Sequence, residues 1–126
     1  MAQKAKAEKA AGPAKIRLRK GNDKGLYALG KLAEAADELV TGAGPIRARL
    51  YEAFRYLVPV RPNEIPDEEL RRIFVDEVMK ALTSEQAQGD EGRLEATLRI
   101  TSDEDAGVIA RRILELYLEL DRRLLR

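Results

Sequence analysis

The densest group of side chains that could bind a ligand is a basic run near the start of the chain. It comprises Lys15, Arg17, Arg19, Lys20 and Lys24. The first 24 residues carry eight basic side chains against two acidic ones, whereas the remainder carries 15 against 20. A basic segment on an acidic body is typical of a protein that contacts a polyanion or an acidic protein surface. A solubilising tail is the plainer alternative.

A second, sparser basic set follows between residues 47 and 55. It contains three arginines with a single glutamate among them: Arg47, Arg49, Arg55 and Glu52. Tyr51 and Tyr56 offer ring faces on which unpaired bases could stack. Together the two sets would form a patch that binds phosphates without reading sequence. We therefore predict DNA or RNA as the ligand, with an ordinary solvated helix face as the alternative.

Cysteine and histidine are both absent, which excludes several classes of catalytic and metal site. Without them the chain has no disulfide, no thiolate or imidazole metal ligand, and no Ser-His or Cys-His nucleophile. The carboxylates of 67–69 and 103–105 stand at predicted helix starts, where acidic residues favour the helix dipole. We expect no metal and no cofactor. Catalysis by electrostatic positioning, through Arg47, Glu52 and Arg55, is left open, but we expect a non-catalytic protein.

The fold that positions these side chains is predicted to be α+β and predominantly helical. Residues 1–14 are rich in Ala and Lys, and we expect them to form a disordered basic arm. Residues 15–126 are expected to form a single α-rich domain. Alternating apolar side chains predict strands over 15–20 and 93–101. The two strands either pair with each other or pair across a dimer axis.

Four segments have the apolar spacing of helices. Side chains at three- and four-residue intervals predict helices over 26–41, 45–58 and 66–83. Ser102 and Asp105 have the spacing of an N-terminal cap, which predicts a long final helix over 103–125. The predicted order is therefore strand, three helices, strand and long helix.

The final helix has an apolar face of about 200°, wider than the roughly 100° that a helix lying on its own core requires. Six side chains of this face are predicted to form an oligomer interface: Ile109, Ile113, Leu116, Tyr117, Leu120 and Leu124. They lie on or beside a seam of heptad spacing. The partner is then a second copy or another subunit of a complex. The alternative is a central helix that a single-chain bundle buries on most sides.

The order strand, helix, glycine turn and helix over residues 15–58 resembles a ribbon-helix-helix DNA-binding domain. This resemblance concerns element order only. It implies that Arg17 and Arg19 face the bases while Ile16 and Leu18 pack inward. The sequence departs from the family in a longer link between strand and helix and in the 68 residues that follow.

The first functional prediction is a non-catalytic assembly subunit whose basic arm and first strand bind nucleic acid. The alternative is a protein-interaction or regulatory adaptor that acts through the apolar face of the final helix. A DNA-binding regulator of the ribbon-helix-helix kind is a third interpretation. No apolar stretch reaches the roughly 18 residues of a membrane span, and no apolar segment follows the first lysines as in a secretory signal. We expect a cytoplasmic protein with no membrane partner.

Overall fold

Five helices make up most of residues 25–125, the part of the chain that this computed structural model describes. Over these residues the fold is all-helical without a β-strand, so the α+β prediction is wrong. Four of the helices are α1 (Gly25–Thr41), α2 (Ile46–Leu57), α4 (Arg93–Ile100) and α5 (Asp103–Leu125). Helix α3 covers residues 68–82 in three consecutive parts: Glu68–Arg72, a π-helical segment Ile73–Met79, and Lys80–Leu82. The predicted arm and the strand over 15–20 lie outside the described residues.

The predicted strand over 93–101 is wrong because this segment folds as α4. Leucine, alanine, glutamate and arginine make up most of it, and these residues favour helices. The helix is stabilised at its start, where the Gly92 N–H donates to the Glu95 carboxylate at 2.7 Å. The apolar alternation was misleading, because Ile100 is 61% exposed whereas Thr97 is 2% exposed. The Thr97 hydroxyl accepts a hydrogen bond from the Glu85 N–H at 3.0 Å.

The four predicted helices are confirmed, with boundaries within two residues of those observed. At the start of α3 the Asp67 carboxylate accepts a hydrogen bond from the Leu70 N–H at 2.9 Å. At the start of α5 the Ser102 hydroxyl accepts one from the Asp105 N–H at 3.0 Å. These oxygens satisfy N–H groups that no carbonyl of the helix reaches. Local capping chemistry therefore fixes where both helices begin.

Helix α3 is wound more widely over Ile73–Met79 than an α-helix. Its hydrogen bonds span five residues, as in the bond from the Lys80 N–H to the Val75 carbonyl. Its buried side chains recur every four residues, at Leu70, Phe74, Val78 and Leu82. An α-helix of 3.6 residues per turn would rotate such a row steadily away from the core. The wider turns offset this rotation and keep the row in place.

Helix α5 is the central element, and α1, α2 and α3 all pack on it. Helix α1 runs antiparallel to α5, because Gly25 at its start meets Leu124, and Val40 near its end lies beside Gly107 and Leu114. Buried side chains of α1, α2, α3, α4 and α5 form one contiguous core. The largest fully buried ones include Phe74, Leu32, Leu50, Leu57, Leu82, Ile113, Leu116, Leu120 and Leu124.

Candidate interaction surfaces

The first predicted nucleic-acid-binding set lies outside the described residues. It comprises Lys15, Arg17, Arg19, Lys20 and Lys24. Their role as phosphate ligands stays a prediction. The ribbon-helix-helix resemblance also stays untested, because the strand it requires belongs to the same segment.

The second predicted set, on α2, is engaged within the chain. Arg47 Nε lies 3.2 Å from the carboxylate of Asp103, and Arg55 Nη1 lies 2.8 Å from that of Glu52. The hydrogen bond from Glu52 raises the pKa of Arg55. Arg49 donates from Nε to the Gly44 carbonyl at 3.0 Å and from Nη1 to the Leu39 carbonyl at 2.8 Å.

The three α2 arginines therefore have separate local tasks. Two are paired with carboxylates, and Arg49 fastens the turn between α1 and α2 by binding backbone carbonyl groups. Pairing lowers the positive potential that a phosphate would meet at this surface. The structure does not bring these arginines together as one basic patch.

Five of the six residues predicted at an oligomer interface lie in the chain's own core. They are Ile109, Ile113, Leu116, Leu120 and Leu124, each at most 8% exposed. Tyr117 is partly buried and packs against the same core. This arrangement corresponds to the single-chain bundle that the sequence left as an alternative. No partner reaches the five buried side chains while the fold is intact, so a contact between copies has to use other residues.

An apolar groove runs between α1 and the outer side of α5. Two depressions, of about 310 and 290 Å³, lie along it and share Ala36, Val40 and Leu114 as lining residues. Val40 is 74% exposed and Leu114 is 39% exposed. The sequence placed Val40 on the core face of α1, and this placement is wrong because the side chain stands at the rim of the groove. We call this surface the α1–α5 groove.

Two unpaired charges of opposite sign border the α1–α5 groove. Asp37 lines one depression from α1, and Arg111 lines the other from α5. Both side chains are exposed, and neither makes an ion pair or a side-chain hydrogen bond with the described residues. Sequence spacing pointed elsewhere, because Arg111 has Glu115 four residues further along and was expected to pair with it. In the structure Glu115 bonds to Arg112 instead.

The opposite flank of α5 is bridged to α3 by ion pairs. Near the end of α5, the Arg123 guanidinium binds the Asp67 carboxylate. Near its middle, Arg112 Nε lies 2.7 Å from the Glu77 carboxylate. Because the low-numbered end of α3 meets the high-numbered end of α5, these two helices are also antiparallel.

These arginines lower the pKa values of the carboxyl groups they bind. The hydrogen bond from Arg112 holds the pKa of Glu77 below its usual range. Hydrogen bonds from Arg122 and Arg123 lower the pKa of Glu119 to about 2. The α3 flank is therefore charged and paired at neutral pH, whereas the α1 flank carries unpaired charges beside apolar side chains.

A depression of about 470 Å³ lies where α3, α4 and α5 meet. Its polar side chains are occupied by structural contacts: Arg112 binds Glu77, and the Thr101 hydroxyl donates to the Thr97 carbonyl at 2.6 Å. In this part of the described chain no hydroxyl is hydrogen-bonded to a carboxylate, as an activated nucleophile requires. The depression gives the catalytic alternative no support.

The helical body holds no metal cluster and no membrane-spanning helix, and the chain has no match among known proteins. Within residues 25–125, no three carboxylates are grouped so that they could hold a metal ion. Over the same range, every helix lacks either the length or the apolar content needed to cross a membrane. Comparisons with protein families, curated proteins and solved structures found no match to this chain. A functional proposal therefore has to rest on the chain's own charges and surfaces.

Proposed function

We propose that this chain is a non-catalytic, cytoplasmic assembly subunit whose first 24 residues bind nucleic acid. The segregation of charge supports this proposal above all else. Eight basic side chains and two acidic ones stand in the first 24 residues, whereas acids outnumber bases by 20 to 15 in the rest. Nucleic acid binds to such a segment because each neutralised phosphate releases condensed counterions.

The state of the α2 arginines narrows the proposal to the N-terminal segment. Arg47 and Arg55 are paired with carboxylates, and Arg49 binds backbone carbonyl groups. The helical body therefore adds little attraction for phosphate, and its excess of acids repels a polyanion at longer range. Binding is expected to depend on Lys15, Arg17, Arg19 and Lys20 rather than on α2.

Fluorescence anisotropy with labelled single-stranded and duplex DNA and RNA tests the proposal across a range of salt concentrations. The double variant Arg17→Gln/Arg19→Gln should weaken binding to nucleic acid. The slope of log K against log salt should fall by about 0.7–0.9 for each phosphate that the variant no longer neutralises. The matched control is Arg47→Gln/Arg55→Gln, which removes the same charge from paired positions and should leave the slope nearly unchanged.

Two results would count against this proposal. Equal losses of affinity in the two double variants would place the contact on the helical body. Absence of salt-dependent binding by the full chain at low salt would remove nucleic acid as the ligand.

A second candidate function is a protein-interaction adaptor that uses the outer side of α5. The exposure of Leu114 (39%) and Leu118 (54%) favours it, since both belong to the apolar face of this helix. It predicts weak, unspecific nucleic-acid binding and association that depends on Leu114. Under this hypothesis Leu114→Glu abolishes association in sedimentation velocity, whereas the Arg17→Gln/Arg19→Gln variant associates normally.

A further inference from the structure

The α1–α5 groove has an apolar surface that the chain's own fold does not cover. Val40 is 74% exposed and Leu114 is 39% exposed, although both stand next to the core. The floor between them is formed by small side chains, including Ala36 and Ala110. Contiguous apolar surface of this kind in a protein marks a place of contact.

Two glycines on this side of the molecule are not required by the fold. A Cβ atom added at Gly30 or at Gly107 would meet no described atom within 4 Å. Neither glycine has a positive φ. Glycine in a helix interior is less favourable than alanine. Gly107 lines the groove, and Gly30 lies one helical turn from the groove residue Ala33, so both keep the surface low enough for another helix to approach closely.

Asp37 and Arg111 identify what approaches. Asp37 lies twelve residues after Gly25, and Arg111 lies thirteen before Leu124, which is the residue that Gly25 meets. At 1.5 Å per residue, the two charges stand within about 2 Å of the same height on opposite sides of the groove. They do not pair with each other, so each is available to a second molecule.

We propose that a second copy of this chain covers the α1–α5 groove in a two-fold symmetric dimer. A two-fold axis running along the groove places α1 of each copy against α5 of the other. Asp37 then faces the partner's Arg111, and Arg111 faces the partner's Asp37, as an isologous contact requires. The four helices form an antiparallel bundle with Val40 and Leu114 at its centre. This inference rests on the assembly part of the proposed function and not on nucleic-acid binding.

A charge exchange tests the dimer. Sedimentation velocity of the full chain over a range of concentrations should show a monomer–dimer equilibrium. Asp37→Arg places like charges opposite each other twice in the dimer, and so does Arg111→Asp. Each variant alone should raise the dissociation constant about tenfold or more. An equimolar mixture of the two variants restores opposite charges at both contacts and should dimerise about as well as the original chain.

The controls separate this surface from a general effect of charge. Asp90→Arg makes the same change of charge in a loop residue that has no ion pair with described residues, and it should leave the dimer unchanged. Circular dichroism checks that the variants stay folded. If either loses helical signal, the milder Asp37→Asn and Arg111→Gln replace them, and each should still weaken the dimer.

Three outcomes would overturn the proposal: a monomer at every concentration, a dimer insensitive to both single variants, or a mixture that does not recover. Anisotropy with labelled DNA, run on the same samples, scores the nucleic-acid proposal separately. Loss of the dimer with retained DNA binding would refute only the symmetric contact. Loss of DNA binding with a retained dimer would refute only the role of the first 24 residues.

Discussion

The two flanks of α5 are closed in different ways. On the α3 flank, Arg112 and Arg123 bridge to carboxylates at α3 above the buried apolar row. On the α1 flank, no ion pair between described residues joins the two helices, and Val40 and Leu114 are left against solvent. The α3 flank is thus finished within the chain, whereas the α1 flank has the surface of a contact that lacks its second half.

This difference concerns specificity more than stability. Exposed ion pairs such as those on the α3 flank contribute little to folding free energy, because water and salt screen them and ordering long side chains costs entropy. Burial of apolar area is the dominant favourable contribution to folding. Both flanks share the buried row of α5 beneath them. The largest effects of substitution are therefore expected in that row, and smaller ones at the edges.

The first prediction compares the inner and outer sides of α5. Leu120→Ala should lower the free energy of unfolding by about 2–5 kcal/mol, because Leu120 is 1% exposed and its truncation leaves a cavity. Leu118→Ala should cost about 0.5 kcal/mol or less, because Leu118 is 54% exposed. Urea unfolding followed by circular dichroism measures both. Similar losses would mean that the outer side is packed as tightly as the core.

The second prediction compares two glycines of α1 with opposite surroundings. A Cβ atom at Gly25 would lie 2.6 Å from Leu124 Cδ1 and 3.2 Å from Pro66 Cδ, so Gly25→Ala should cost about 1–3 kcal/mol through overpacking. Gly30→Ala meets no described atom within 4 Å and should stabilise the monomer by about 0.5–1 kcal/mol.

Thermal unfolding at low protein concentration, where the monomer dominates, measures the two glycine variants. Destabilisation by Gly30→Ala would show that α1 is already covered at this point within one chain. The same variant also sharpens the dimer proposal, because an added methyl group on the outer side of α1 should weaken association while it stabilises the monomer.

Local features of the sequence were sufficient to predict the helices. The cap at Ser102 and Asp105 and the acidic start at Asp67 act within one turn, so their effect can be read from neighbouring residues. The segment over 93–101 shows the limit of this approach. Its apolar residues satisfy a period of two, and the decisive feature, a buried threonine that binds the Glu85 backbone, joins residues twelve apart.

The interaction surfaces were harder to predict because they depend on partners distant in the sequence. Arg47 is matched by Asp103, which no spacing rule for one helix reveals. The wide apolar face of α5 was correctly identified, but periodicity does not say whether a helix of the same chain or of another covers it. Asp37 and Arg111 become informative only after the antiparallel packing of α1 on α5 brings them to one height.

The last prediction, with the smallest expected effect, concerns the ion pairs of the α3 flank. Hydrogen bonds from Arg122 and Arg123 lower the pKa of Glu119 from an ordinary 4.5 to about 2 in the folded chain. A carboxyl group whose pKa is lowered by folding stabilises the fold above its unfolded pKa. That contribution is lost as the pH falls from about 4.5 towards 2. Glu119→Gln should therefore lower the thermal midpoint at pH 7, and the difference from the original chain should shrink as the pH approaches 2.

The control for this experiment is Asp90→Asn, which removes a carboxylate that has no ion pair with described residues. It should change the midpoint little at either pH. Added salt should reduce the effect of Glu119→Gln at pH 7, because the interaction is between charges near the surface. A difference between Glu119→Gln and the original chain that stays constant from pH 7 to pH 2 would show that Glu119 acts through packing. The contrast between a charge-bridged and an apolar flank of α5 would then lose its electrostatic basis.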